Sequence, residues 1–255
     1  MNISLSGKAA IVTGAGSGIG LATTRQFLES GAQVVAVDRR SDLQSAFTAC
    51  TPEQLARLAI VIGDVAVEAT AKEFAAAALE RFGRLDVLVN NAAVNVVKPI
   101  HEHTPEEWDF VMNTNVKALF LASRHVVPVM IKKGGGVILN AGSISGVVGI
   151  PTQGAYAPSK GAVHQMTRQM AIEYGRYNIR VNAVCCGTIN TPLVQASAEA
   201  SGDAEGYWKM LRDGHPIGRI AEPEEVAGFY TYLASDLASF ITGATLMFDG
   251  GFTAI

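Results

Sequence analysis

Two periods alternate along the chain. Short, almost unbroken apolar runs fall at 9–13, 33–38, 58–63, 87–90, 137–141, 180–184 and 245–248. Between them lie longer stretches with helical spacing of apolar residues, at 18–30, 67–82, 105–133, 155–176, 192–212 and 223–235. Apolar runs with no alternating wet face predict strands covered on both sides, which is how parallel strands read, and the intervening spacing predicts helices. Thr104-Pro105-Glu106-Glu107 has the form of a capping box with proline in the first turn, and Pro223-Glu224-Glu225 opens another helix. Strand and helix alternate throughout, without a repeat, a linker or a low-complexity tract. The expected fold is therefore a single-domain α/β, Rossmann-like doubly wound parallel sheet of about seven strands over residues 1–255, with helices on both faces. Ligands of such sheets bind beyond the carboxyl ends of the strands, so functional residues should follow strands.

Composition narrows the class. The 255 residues are 49% hydrophobic and 17% charged with a net charge of −3, a globular and faintly acidic balance that speaks against a nucleic acid partner. No basic region precedes a long apolar stretch at the start, and no run approaches the length of a membrane span, so a cytoplasmic protein without a membrane partner is expected. Cys50, Cys185 and Cys186 are odd in number and lack C-x-x-C spacing, which predicts free thiols rather than a disulfide framework or a metal site.

Chemistry-bearing residues do cluster after strands. The first strand runs into Thr13-Gly14-Ala15-Gly16-Ser17-Gly18-Ile19-Gly20 and then a helix. Ile19 stands where a strict G-x-G-x-x-G needs glycine, so the match is G-x-x-x-G-x-G through Gly14, Gly18 and Gly20. Glycines at a strand-to-helix turn let the backbone approach a pyrophosphate, which then sits on the unsatisfied N–H groups of the helix start. Asp38 ends the second strand, where a carboxylate accepts hydrogen bonds from the adenosine ribose and repels a 2′-phosphate; this points to NAD and disfavours NADP. Arg39 and Arg40 follow it, each able to pair with a 2′-phosphate, with Asp38 itself, or with neither. Further on, Tyr156-Ala157-Pro158-Ser159-Lys160 puts a phenol and an ammonium four residues apart, on one face of a helix that must begin close to Tyr156 for Pro158 to be tolerated.

Taken in order, the glycine turn, Asp64-Val65 after the third strand, Asn90-Asn91-Ala92 after the fourth, Asn115, Ser143 after the fifth and Tyr156-x-x-x-Lys160 resemble the short-chain dehydrogenase/reductase family over nearly the whole chain. The resemblance implies a catalytic tetrad of Asn115, Ser143, Tyr156 and Lys160. Tyr156 would be the acid/base, Ser143 would hold the substrate oxygen, Lys160 would reach the nicotinamide ribose, and Asn115 would hold a water in a proton relay. A cation at ~4 Å in an effective dielectric of ~20 contributes about 4 kcal/mol, or roughly 3 pKa units, so Lys160 is expected to bring the Tyr156 phenol near neutrality. The same resemblance assigns Gly14, Ser17, Gly18, Ile19, Gly20, Asp38, Asp64, Val65, Asn91, Tyr156, Lys160, Ile189 and Thr191 to the cofactor.

Two positions depart from the family pattern. Ala93 replaces a glycine, and Cys185-Cys186-Gly187 stands where Pro-Gly is usual. Expected substrate linings are 94–97, Ser145, Ile150, Gln153 and the 193–215 segment with Tyr207, Trp208 and Met210, mainly apolar and without a basic cluster, which suits a small neutral alcohol or ketone. The function expected is NAD-dependent interconversion of a secondary alcohol and a ketone. Alternatives are an NADPH-dependent 3-oxoacyl-thioester reductase, with Lys132, Lys133 and Arg176 touching a carrier protein, and a non-catalytic NAD-sensing protein. The family, the helices at 105–133 and 155–176, and the C-terminal strand with residues 250–255 imply a homotetramer.

Overall fold

The computed structural model describes residues 3–254. Seven strands form one parallel sheet: β1 (Ala9–Thr13), β2 (Gln33–Asp38), β3 (Leu58–Ile62), β4 (Val87–Asn90), β5 (Gly136–Ala141), β6 (Ile179–Cys186) and β7 (Thr245–Phe248). Their order is β3-β2-β1-β4-β5-β6-β7, and every pairing is parallel. The chain moves outward from β1 to β3 and then returns to lay β4 on the other side of β1, so the strand order reverses between β1 and β4. That reversal opens a crevice at the carboxyl ends of these two strands.

Alternation along each strand sends its side chains to two separate cores. On one face Val12, Val34 and Leu139 pack under α1 (Gly18–Glu29) through Phe27 and Leu28, and under a C-terminal helix, Pro223–Ala234, through Val226, Tyr230 and Leu233. On the other, Ile11, Val35 and Ile138 meet Phe74, Leu121 and Met170 from the helices Glu68–Phe82, Ala118–Lys133 and Tyr156–Tyr174. Numbered in chain order, the helices are α1, α2 (Pro52–Ala56), α3 (Glu68–Phe82), α4 (Pro105–Met112), α5 (Ala118–Lys133), α6 (Tyr156–Tyr174), α7 (Pro192–Ala200), α8 (Ala204–Asp213) and α9 (Pro223–Ala234). At the carboxyl ends of the strands the core turns polar: Asn90 Nδ2 donates to Asn140 Oδ1 at 2.9 Å, and Asn140 Nδ2 donates to Thr167 Oγ1 at 2.9 Å. This buried chain ties β4, β5 and α6 together just below the crevice, and each member is satisfied.

Three expectations about helices change. The segment expected as one helix over 105–133 is interrupted by a π turn over Asn113–Lys117. The cause is tertiary: the Asn115 amide accepts from Val94 N at 2.8 Å and donates to Val94 O at 2.9 Å, so the loop after β4 pulls one extra residue into the turn. The helix expected over 192–212 is two helices, because Asp203 caps a new start by accepting from Gly206 N at 2.9 Å. The short α2 had no apolar period to announce it, since none of its residues is buried. Of the C-terminal residues assigned to a subunit contact, Phe252–Ala254 form a 3₁₀ turn, and Ile255 lies outside the described residues.

Candidate active site

The crevice is a cleft of about 830 Å³ that runs from Asp38 to Tyr156. Its floor at one end is the glycine turn. Gly14 has φ +66°, and a Cβ on Gly20 would stand 2.0 Å from Gly14 O, so these two positions accept no side chain without moving the turn. Thr13 and Asn91 brace it. Thr13 Oγ1 accepts from Asn91 N at 3.0 Å and Ala92 N at 3.1 Å, while Asn91 Nδ2 donates to Thr13 O at 3.0 Å. Asn91 lines the cleft, but its amide protons are committed to this bracing, so a contact to adenosine falls to its Oδ1 or backbone. Ser17 has the extended dihedrals of an N-cap yet its hydroxyl caps nothing, so it and the N–H groups opening α1 are left for a ligand; Ser17, Gly18 and Ile19 all line the cleft. An anion is the ligand such a helix start favours.

At the far end of β2, Asp38 Oδ2 accepts from Gly16 N at 2.9 Å and Oδ1 from Arg40 N at 3.1 Å. Arg40 is held by Asp42 at 2.9 Å and by Gly16 O at 3.2 Å. Arg39 is exposed on the rim and makes no ion pair among the described residues. Asp64 and Val65 complete this end of the cleft, as expected, and Ala93 lies exposed in its wall.

Ser143, Tyr156 and Lys160 converge at the other end; Asn115 stands behind them and does not line the cleft. α6 begins at Tyr156, which places Pro158 in the first turn where its missing N–H costs nothing. Lys160 Nζ donates to Ala141 O at 2.7 Å and lies 5.3 Å from the centre of the Tyr156 ring. Asn115 Nδ2 donates to Ser159 Oγ at 3.0 Å besides Val94 O, so both its amide protons are spent and a water in a relay would meet its oxygen atoms. The expected near-neutral phenol is corrected here: burial pushes Tyr156 up to about 12, a Ser143 hydrogen bond opposing it, and burial pushes Lys160 down to about 8. Desolvation penalises both charged forms and outweighs the attraction that the sequence suggests.

Two histidines brace this end: His164, absent from the sequence reading, and His215, the last residue of the expected 193–215 lining. His164, buried on α6 one turn beyond Lys160, accepts from Ser143 N at 3.4 Å. His215, also buried, accepts from Thr188 N at 3.0 Å and donates through Nδ1 to Leu211 O at 2.7 Å, so it joins α8 to the loop that carries Ile189 and Thr191. Both loop residues line the cleft, as does half-buried Cys186. Spacing hints at His164, four residues after Lys160; His215 falls in the expected lining segment, but nothing in the sequence hints at its bracing bonds. On the substrate side Asn95, Val97, Ser145, Ile150, Gln153 and Tyr207 line the cleft. Trp208 does not: it turns away and meets Tyr207 edge-on at 6.4 Å.

A family model described as enoyl-(acyl carrier protein) reductase matches residues 14–253. The chain belongs to the short-chain dehydrogenase/reductase family. Among similar members, the 2,5-dichloro-2,5-cyclohexadiene-1,4-diol dehydrogenase of Sphingobium indicum is 41% identical over 98% of this chain and 99% of its own. An NADP-dependent (R)-specific alcohol dehydrogenase of Lentilactobacillus kefiri is 40% identical over 98% of both chains. The crystal structure of L-sorbose reductase from Gluconobacter frateurii, complexed with NADPH and L-sorbose, superposes with a TM-score of 0.94 over 100% of both chains at 34% identity. As a short-chain dehydrogenase/reductase, the protein is an oxidoreductase acting on CH–OH groups with a nicotinamide cofactor. The glycine turn, the uncapped start of α1 and a cleft reaching Tyr156 suit that group.

Proposed function

We propose that the protein interconverts a secondary alcohol and a ketone with NAD(H), using Tyr156 as acid/base. The observation that carries this reading is the convergence of Ser143, Tyr156 and Lys160 in a cleft whose opposite end presents the Asp38 carboxylate. Ser143 Oγ holds the substrate oxygen, and the Tyr156 oxygen takes the hydroxyl proton in oxidation or returns it in reduction. The nicotinamide supplies the hydride acceptor or donor, and in its oxidised form a positive charge that favours phenolate. Lys160 adds to that charge and holds the ribose side. Ala141 O keeps its ammonium in place meanwhile. Relatives named for a ring diol and for L-sorbose fit a cleft with both apolar and polar lining.

The carrier-protein alternative draws no support from its basic residues. Lys132 and Lys133 close α5 just before β5, and Arg176 lies between α6 and β6, so all three sit at the amino edge of the sheet, opposite the cleft. Free thiols at Cys50, Cys185 and Cys186 suit the cytoplasm, and no helix among the described residues is long and apolar enough to cross a membrane. A spectrophotometric screen for NADH formation with a panel of secondary alcohols tests the reading. Turnover of at least one class is expected; a protein that binds NADH tightly and oxidises none would be a sensor instead.

A further inference from the structure

The chain segment over 192–214 is fastened at both ends to one short loop. Its first end is covalent: α7 follows directly on Thr191 of the 188–191 loop, and α8 comes after it. Tyr207, Met210 and Leu211 of α8 line the cleft, yet no residue of this helix is buried, so its own packing holds it weakly. The second end is a side chain. His215, two residues beyond α8 and only 4% exposed, accepts from Thr188 N through Nε2 at 3.0 Å, 27 residues back along the chain. No other hydrogen bond among the described residues joins 204–215 to the loop.

The imidazole is confined to this bond. Nδ1 donates to Leu211 O at 2.7 Å, so a single neutral tautomer satisfies both ring nitrogens. A Cβ at Gly187 would stand 2.6 Å from Nε2, and the Phe252 ring lies 5.4 Å from the imidazole, so the ring has little room to turn. Asp249 fixes the turn that carries Phe252 by accepting from Gly251 N, Thr253 N and Thr253 Oγ1. Thr188 is held on its other side, where its carbonyl accepts from Ala221 N at 3.2 Å. The loop and the far end of α8 thus meet at one rigid group.

We propose that His215 is a positioning residue that couples the two halves of the cleft. A nicotinamide cofactor orders the 188–191 loop, and the bond from Thr188 to His215 carries that order to α8. Coupling of this kind is reciprocal, so a substrate held against α8 tightens the cofactor in turn. The inference rests on the reading above, in which Ile189 and Thr191 meet the nicotinamide end.

Hydrogen–deuterium exchange with saturating NADH, or NADPH should NADH fail to bind, tests the coupling without turnover. In the wild type the cofactor should slow exchange in the glycine turn, in 192–199 and in 204–213, the last by about tenfold. His215→Asn can still donate to Leu211 O but is too short to reach Thr188, whereas His215→Gln places an amide oxygen near the Nε2 position. Gly187→Ala displaces the intact imidazole with its methyl group. In His215→Asn and Gly187→Ala the slowing in 204–213 should fall below about twofold while the glycine turn and 192–199 keep theirs, and His215→Gln should recover about threefold or more. Melting temperature and cofactor titration identify the folded variants. A merely structural histidine would raise exchange in 204–213 with and without cofactor alike, so an undiminished cofactor effect in either folded variant overturns the coupling. So does a wild type in which 204–213 does not respond to cofactor although the glycine turn does. Should neither dinucleotide protect the glycine turn, the cofactor reading itself falls, and the coupling with it.

Discussion

Cys185 Sγ lies 3.1 Å from His164 Nε2, and the same nitrogen accepts the backbone N–H of Ser143. The thiol and the amide both donate, and the Gly146 backbone takes a bond from the other side of the ring, so the proton sits on Nδ1 and Nε2 is the acceptor. The unusual Cys-Cys segment therefore has a structural role at its first residue: Cys185 presses on the histidine that fixes the Ser143 loop.

Protonation of His164 would destroy that acceptor. Burial, with the Lys160 and Arg168 cations adding to it, pushes His164 down to about 4. A group lowered from an unfolded value of ~6.5 contributes stability that is complete above that value and is lost as pH falls toward the folded one. The loss should reach about 3 kcal/mol near pH 4. Melting temperature should fall between pH 6.5 and 4.5 in the wild type, and His164→Asn should start lower but show a shallower slope over that interval. Parallel slopes would mean that carboxylates alone set the acid limit.

The strands were legible because a parallel strand buried on both faces is continuously apolar, whatever its neighbours. The glycine turn, Asp38 and the Tyr156–Lys160 pair were legible because each lies directly after a strand or on a single helical turn. His164 and the bracing role of His215 were not, since Ser143 N and Thr188 N are backbone groups of loops distant in sequence, and neither residue type nor spacing reports that. Asn115 was found while its geometry was missed, because the π turn depends on Val94. The pKa of Tyr156 was misjudged for a simple reason: a sequence places a cation nearby but says nothing about the water that burial removes.

Substitution at the acid/base position should separate chemistry from binding. Tyr156→Phe removes one oxygen and should cut kcat at least a thousandfold, leaving the NADH dissociation constant within about threefold. Lys160→Ala should harm both. Turnover by the Phe variant at a tenth of the wild-type rate would remove Tyr156 from the proton transfer.

The glycine turn offers a steric prediction. An alanine methyl at position 20 would meet Gly14 O at 2.0 Å and Asn91 Nδ2 at 2.6 Å, both parts of the braced turn. Gly20→Ala should weaken NADH by about a hundredfold in fluorescence titration, whereas Gly228→Ala on α9, with nothing within 4 Å, should leave it unchanged. Equal affinities would show that the turn relaxes freely.

Assembly is testable on two exposed apolar side chains. Ile172 on α6 is 84% exposed and Phe240, before β7, is 101% exposed, so each offers apolar surface that a second copy would cover. Light scattering should give a homotetramer, and Ile172→Glu or Phe240→Glu should reduce it to smaller species. A wild-type monomer at micromolar concentration would leave both residues without a partner.

Cofactor choice turns on three neighbouring side chains. Asp38 carries a carboxylate where the adenosine ribose is expected, and a 2′-phosphate there would set like charges together in a partly buried site. Arg40 offers limited relief, because Asp42 and Gly16 O already hold its guanidinium. Arg39 is the cation without an ion pair among the described residues, and it stands on the cleft rim. NAD should therefore be preferred over NADP by roughly ten- to a thousandfold in kcat/KM, about 1.4–4 kcal/mol, and not absolutely. Asp38→Ser should narrow the gap by removing the repulsion while Arg39 stays. Adding Arg39→Ala to that variant should then reopen it through loss of NADP activity, because the phosphate loses its remaining counter-charge. The measurement is kcat/KM for both cofactors on one alcohol in all three proteins. Equal wild-type values, or no shift toward NADP in Asp38→Ser, would mean that the carboxylate does not face the ribose; a shift that survives Arg39→Ala would assign the phosphate contact to Arg40.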